Sequence, residues 1–352
     1  MTRRVLVVRL DGAGDVLLAG PAVRAVAAAP GAEVTLLCGP DGAAAGRLLP
    51  GVRWVLVWAS PWIVAPAPPV TAADVDDIVA RLAAHAFDEA VVLTSFHQSP
   101  LPTALLLRLA GIPRITGASV DYPGSLLDVR LRPGEDLPED IPEPERALRI
   151  AAAAGFELPA GDDGGLAVQP PPEPGSLLEP LPGRPYVVLH PGAAVPARRW
   201  PAEHHRRAVR LLARAGIPAV VTGGPGEREL TAAVAGDEGL DLGGRTDLAQ
   251  LAGVLAGASA VVVGNTGAAH LAAAVGTPVV SLFAPVVPAV RWRPHRVPHV
   301  LLGDQDAPCR GSRARICPVP GHPCLARITP EQVVEAVCRL VAAPVAAKEG
   351  SS

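Results

Sequence analysis

An aspartate on a glycine-rich turn is the first residue of this chain with the chemistry of a base. It sits in Leu10-Asp11-Gly12-Ala13-Gly14-Asp15-Val16, directly after the first apolar run. A carboxylate on such a turn can accept a proton from a hydroxyl, and the same residue type also caps helices through their bare N–H groups. The G-x-G here lacks the third small residue of a dinucleotide fingerprint, because Leu17 stands there. Cys38-Gly39, and no acid, closes the second apolar run. A nicotinamide site is therefore not indicated.

Three later junctions share another character. His190-Pro191-Gly192-Ala193-Ala194 leads through Arg198-Arg199 into Trp200-Pro201. Thr222-Gly223-Gly224-Pro225-Gly226-Glu227 opens a second helix, and Gly264-Asn265-Thr266-Gly267-Ala268-Ala269-His270 opens a third. Small residues at a helix N-terminus let N–H groups approach a phosphate, and the helix dipole favours its charge. Side by side, three such loops point to a diphosphate-linked ligand. The chain has no G-x-x-x-x-G-K-[ST] and no G-x-S-x-G, which excludes a P-loop and an α/β-hydrolase elbow.

Other chemistry-bearing residues read as structural. Cys309, Cys317, Cys324 and His322 do not have the two-plus-two spacing of a zinc knuckle, so no metal is expected. Asp74-Val-Asp76-Asp77 opens an amphipathic helix, where acids suit the dipole; Asp304-Gln-Asp306 is the only other acidic pair of this form. Arg291, Arg293, Arg296, Arg310, Arg313 and Arg315 form the one basic concentration and read as a solvated face.

Positioning these loops requires strands that end just before them. Short β-branched runs at 5–9, 34–38, 52–57 and 90–94 alternate with helical stretches at 21–29, 72–86 and 103–110. After a Pro-rich segment the pattern restarts: strands at 186–190, 219–222, 260–264 and 279–283, helices at 202–215, 227–235, 248–256, 268–274 and 330–341. Strand and helix in alternation predict parallel sheets covered on both faces. The expected organisation is a first Rossmann-like domain at 1–170, a linker at 171–185, a second such domain at 186–341 and a flexible tail at 342–352. Two doubly wound domains place a ligand at the carboxyl ends of their sheets, in a central cleft.

Composition agrees. With 352 residues, 49% hydrophobic and 18% charged, the chain is too apolar for disorder, and its net charge of −3 provides no field for nucleic acid. Asn265, His270, Pro278 and several glycines break the uncharged stretch 251–290 into strand and helix lengths, so no membrane span is expected. Arg9 and Asp11 end the first apolar run too early for a signal peptide. The expectation is a cytoplasmic protein with mostly free thiols, compatible with peripheral contact at the inner face of the membrane.

Taken together, Val5-Leu-Val-Val-Arg-Leu-Asp-Gly-Ala-Gly-Asp-Val-Leu-Leu, Leu189-His-Pro-Gly-Ala with Arg198-Arg199-Trp200-Pro201, Thr222-Gly-Gly-Pro-Gly-Glu and Gly264-Asn-Thr-Gly-Ala-Ala-His resemble the ADP-heptose:lipopolysaccharide heptosyltransferases, inverting glycosyltransferases. The resemblance implies an α/β, GT-B architecture of two Rossmann-like domains, the acceptor held by the N-terminal one (1–170) and the nucleotide-sugar by the C-terminal one (186–341). It implies Asp15 as the general base, with Gly12 and Gly14 on the acceptor side, and Arg198 as the cation that meets the departing diphosphate. On the donor side it implies Gly192, Ala193, Ala194, Arg199, Glu227, Thr246, Asn265, Thr266, Gly267 and His270. Characterised members carry Asp-Thr-Gly where Asn265-Thr266-Gly267 stands here, an amide that donates as well as accepts.

The expected activity is metal-independent, cofactor-free transfer of a heptose or related sugar from a nucleotide diphosphate to a hydroxyl of a glycan, lipid-linked or small-molecule acceptor. Two alternatives stand beside it. One is a GT-B enzyme such as a nucleotide-sugar 2-epimerase, which needs no acceptor; the other is a non-catalytic nucleotide-sugar-binding subunit, which turns nothing over.

Overall fold

The computed structural model describes residues 2–181 and 183–342, so most of the expected tail lies outside the described residues. The chain divides into two compact units. The first is Met1–Pro170 with Val290–His295, and the second is Pro171–Ala289 with the residues from Arg296 onward.

The first unit carries strands β1 (Arg3–Arg9), β2 (Ala32–Cys38), β3 (Val52–Val57), β4 (Glu89–Val92), β5 (Ile115–Ala118) and β6 (Val129–Leu131). Its helices are α1 (Ala13–Leu18), α2 (Gly20–Ala27), α3 (Ala43–Leu48), α4 (Ala72–Ala83), α5 (Leu101–Leu109) and α6 (Glu143–Ala153). The sheet is parallel throughout, in the order β3-β2-β1-β4-β5-β6. Val5 to Val8 of β1 lie at the centre, buried on both faces, which is why that strand reads as an unbroken apolar run. Connections leave β1 and β4 in opposite directions, so the loops that follow these two strands flank a topological switch point.

The second unit repeats the plan. Its strands are β7 (Val187–His190), β8 (Ala219–Val221), β9 (Gly239–Asp241), β10 (Ala260–Gly264), β11 (Val279–Leu282) and β12 (His299–Leu302). The helices are α7 (Ala202–Arg214), α8 (Arg228–Ala235), α9 (Leu248–Ala256), α10 (Gly267–Ala274), α12 (Pro323–Ala326) and α13 (Pro330–Ala342); the short α11 (Ala289–Trp292) leads back to the first unit. The order β12-β11-β10-β7-β8-β9 is again parallel, with its switch point between β7 and β10. Local chemistry starts the helices: Thr71 accepts from the Asp74 N–H ahead of α4, and Asp247 and Gln250 exchange hydrogen bonds in a capping box ahead of α9. The Pro-rich segment is not suspended in solvent throughout. The Pro172 carbonyl lies so close to Gly253 of α9 that a Cβ there would meet it at 2.1 Å.

The expected strands and helices are present to within a few residues at each end. Missing from the sequence reading are α1, α3, α6 and the one-turn α11 and α12, and the short strands β5, β6, β9 and β12, each strand only three or four residues long. Among the described residues no helix is long and apolar enough to cross a membrane.

Candidate functional site

In the first unit the chemistry gathers where β1 and β4 end. Arg9 closes β1 and is only 3% exposed, so its charge must be met inside the protein. One guanidinium nitrogen donates to Asp15 Oδ1 at 2.8 Å and to Ser95 Oγ at 2.7 Å. Asp11 Oδ2 lies 3.0 Å from Arg9 Nε, and Glu143 Oε2 lies 3.9 Å from Nη1. Burial alone would lower the Arg9 guanidinium; the carboxylates of Asp11, Asp15 and Glu143 outweigh it and raise it above its ordinary value. Burial also pushes the Asp11 and Glu143 carboxyls up, against the pull of Arg9.

Asp15 is the most exposed carboxylate of this group, with its side chain 30% exposed against 13% for Asp11. It does not cap α1. The cap is Gly12, in extended conformation with no side-chain hydrogen bond, and Asp15 is the third helical residue. Both of its side-chain hydrogen bonds fall on Oδ1, the second from Trp292 Nε1 at 3.4 Å. A Cβ on Gly12 would meet nothing within 4 Å, so the turn is open beside Asp15.

Trp292 and Arg291 were not foreseen here. Arg291 is 3% exposed and donates to Glu143 Oε1 at 3.1 Å and to Glu139 Oε2 at 2.5 Å, with its guanidinium carbon 4.3 Å from the centre of the Phe96 ring. The solvated-face reading is therefore wrong for Arg291: its charge is neutralised by two acids and covered by an aromatic ring. Gln98, also missed, donates to Asp11 Oδ1 and accepts from the Ser95 N–H, which ties the loop after β4 to the loop after β1.

In the second unit the three small-residue loops follow the neighbouring strands β7, β8 and β10 and touch one another. His190 Nδ1 lies 3.0 Å from Thr222 Oγ1; burial lowers the imidazole below its ordinary value, against the pull of Glu227. The Glu227 carboxylate accepts from the Gly224 N–H at 2.9 Å and folds over Gly192, where a Cβ would stand 2.0 Å from Glu227 Oε1. A side chain at 192 would have to displace that carboxylate. Arg198 and Arg199 diverge. Arg198 Nη1 donates to the Asn265 carbonyl at 3.2 Å, whereas Arg199 Nε turns back to the Ala193 carbonyl at 2.8 Å and is exposed. Arg198 is the one that reaches the loop after β10. The backbones are equally close there, since a Cβ on Gly264 would meet the Arg198 carbonyl at 2.8 Å.

Thr266 is the N-cap of α10, and its Oγ1 is buried with no hydrogen-bond partner among the described residues. Gly267 and Ala268 follow with N–H groups that a helix start leaves without an intrahelical partner, while the Ala269 N–H donates to the Thr266 carbonyl at 3.1 Å. His270 is the fourth helical residue and only 4% exposed. Thr246, between β9 and the cap of α9, is half-buried, and no hydrogen bond joins its side chain to the three loops among the described residues.

Asn265 is 3% exposed and its amide is taken up internally: Oδ1 accepts from the Ala284 N–H at 3.3 Å and Nδ2 donates to the Ala284 carbonyl at 3.4 Å. A carboxylate could make only the first of these bonds. Asn265→Ala leaves both groups of a buried residue unpaired and is expected to cost about 1–3 kcal/mol. Urea unfolding measures it, and an unchanged midpoint would show that the pairing is idle.

The five cysteines are free thiols, and among the described residues no three His, Cys, Asp or Glu side chains are arranged to hold a metal ion.

Residues 77–320 match the model of glycosyltransferase family 9 (heptosyltransferase). A lipopolysaccharide heptosyltransferase 1 of Pseudomonas aeruginosa is 36% identical over 143 residues, which cover 40% of this chain and 40% of that relative. The match thus spans about two fifths of the relative's length. Among solved structures, a family 9 glycosyl transferase of Veillonella parvula superposes with a TM-score of 0.78 at 19% identity, over 96% of this chain and 97% of that one. The ADP-heptose LPS heptosyltransferase II of E. coli gives 0.74 at 22% identity, over 96% and 98%. The fold of two six-stranded parallel sheets is that of these GT-B structures. The family model covers more than half of the chain, and the chain belongs to glycosyltransferase family 9, the heptosyltransferase family.

Proposed function

We propose that the protein transfers a heptose from ADP-heptose to a hydroxyl of a lipopolysaccharide-type glycan, with inversion at the anomeric carbon. The observation that carries this reading is Asp15, a partly exposed carboxylate fixed by buried Arg9 at the switch point of a doubly wound sheet. The acceptor O–H gives its proton to Asp15 as its oxygen forms the new bond to the anomeric carbon. The bond from that carbon to the diphosphate breaks with its electron pair, and ADP departs carrying the charge. Arg198 and the N-terminus of α10 meet that charge in the second unit. A single displacement of this kind inverts the anomeric centre, and the cation and helix end take the role a divalent ion would otherwise have. A lipid-anchored acceptor places the protein at the cytoplasmic face of the membrane, in peripheral contact with it.

The test incubates the protein with ADP-heptose and a lipopolysaccharide inner-core acceptor in EDTA. Expected are stoichiometric ADP and heptosylated acceptor whose new linkage has the opposite anomeric configuration by NMR. Isomerised nucleotide-sugar from donor alone, binding without turnover, or turnover restored only by added magnesium or manganese contradicts the reading.

A further inference from the structure

The segment 309–325 was set aside as a metal site, yet it does something specific to the loop that carries Arg198. Ala197, the residue before Arg198, is 1% exposed, and both of its backbone groups are held by this segment. Its N–H donates to the Arg315 carbonyl at 2.9 Å, and its carbonyl lies 3.0 Å from His322 Nε2. A carbonyl only accepts, so Nε2 carries the proton and donates it.

The holder is itself anchored. Gly311 and Arg313 donate from their N–H groups to the carbonyls of Pro285 and Val286, each at 2.8 Å, just beyond β11. Cys309 and Cys324 are 1% and 2% exposed and lie in the same apolar cluster as Ala197 and Trp200. His322 takes a left-handed backbone, φ 49° and ψ 51°, a conformation uncommon for residues other than glycine. Arg198, one residue beyond the clamp, sends Nη1 to the Asn265 carbonyl. Rotation of the Ala197–Arg198 peptide would carry the guanidinium away from the N-terminus of α10.

We propose that His322 is a positioning residue that holds the Ala197 carbonyl and thereby sets Arg198 against the diphosphate of the donor. This rests on the reading of Arg198 as the cation that meets the diphosphate. The cysteines around it pack the platform from which the imidazole acts.

Two variants separate the hydrogen bond from the bulk. His322→Leu fills the space without donating, and His322→Gln places an N–H close to where Nε2 stands. With ADP-heptose and the inner-core acceptor, His322→Leu is expected to lose about 10–100-fold in kcat, the scale of an ångström of misplacement, with a smaller change in ADP affinity. His322→Gln is expected to recover most of this. In an Arg198→Ala background His322→Leu should cost nothing further, since the group it positions is gone. Wild-type kinetics in Arg198→Ala alone sinks both this inference and the diphosphate reading. An impaired Arg198→Ala beside an unimpaired His322→Leu, or losses that add in full, sinks only the inference. Should His322→Leu fail to fold, His322→Gln decides: near wild-type kinetics support the hydrogen bond, and a folded His322→Gln with a large loss of kcat overturns it.

Discussion

Replacing Arg198 by alanine slows transfer by about 10²–10³-fold, the usual cost of removing one donor from a site that stabilises departing charge. The same change takes a hydrogen bond from the Asn265 carbonyl, worth about 1 kcal/mol of stability. The two effects differ enough in size to be told apart. A domain stable by about 5–15 kcal/mol remains folded after such a loss, so the rate defect cannot come from unfolding. Donor affinity falls less than kcat, because the diphosphate is more negative as it leaves than in the bound donor. Arg198→Lys restores part of the rate as a point charge without the planar fork. Arg199→Ala, which loses only a bond to the Ala193 carbonyl, stays near wild type. Stopped-flow ADP release with parallel titrations of ADP checks all three variants, and equal defects at 198 and 199 would show that the loop, and not Arg198, carries the effect.

Much of this arrangement is legible in the sequence because its signals are local. Val5 to Val8 and Val261 to Val263 announce buried central strands, and glycine after a strand announces a loop that something approaches closely. Gly192 bears this out, with the Glu227 carboxylate where a side chain would be. The edge strands β6 and β9, Val-Arg-Leu and Gly-Leu-Asp, carry no such signal; parallel neighbours impose their conformation. Helix α1 was hidden by its own glycines, which read as turn although the helix begins directly after Gly12.

The larger loss is long-range charge pairing. Arg291 looks like one more basic surface residue until Glu143, 148 positions earlier, closes on it. Arg9 looks like the end of a strand until Ser95 and Glu143 arrive beside it from loops and helices far along the chain. Neither periodicity nor motif spacing encodes such partners. A charged residue adjoining a central strand run is the one sequence feature that pointed to them, since a buried cation requires acids nearby.

Asp15→Asn is expected to leave a folded protein that binds ADP-heptose normally and transfers about 10²–10⁴-fold more slowly, the usual worth of a positioned base. Asparagine keeps an oxygen able to accept from Arg9 Nη2 and from Trp292 Nε1, so the anchoring of residue 15 is preserved in outline. What it lacks is the capacity to take a proton from the acceptor hydroxyl at neutral pH. Because Asp15 does not cap α1, the substitution removes no cap, and the helix start at Gly12 is untouched. The deciding measurement is the single-turnover rate of Asp15→Asn with saturating acceptor, taken on the same preparation as its donor affinity and unfolding midpoint. A rate lowered by at least about a hundredfold with both other quantities near wild type is the predicted result. A wild-type single-turnover rate in that protein would contradict Asp15 as the base.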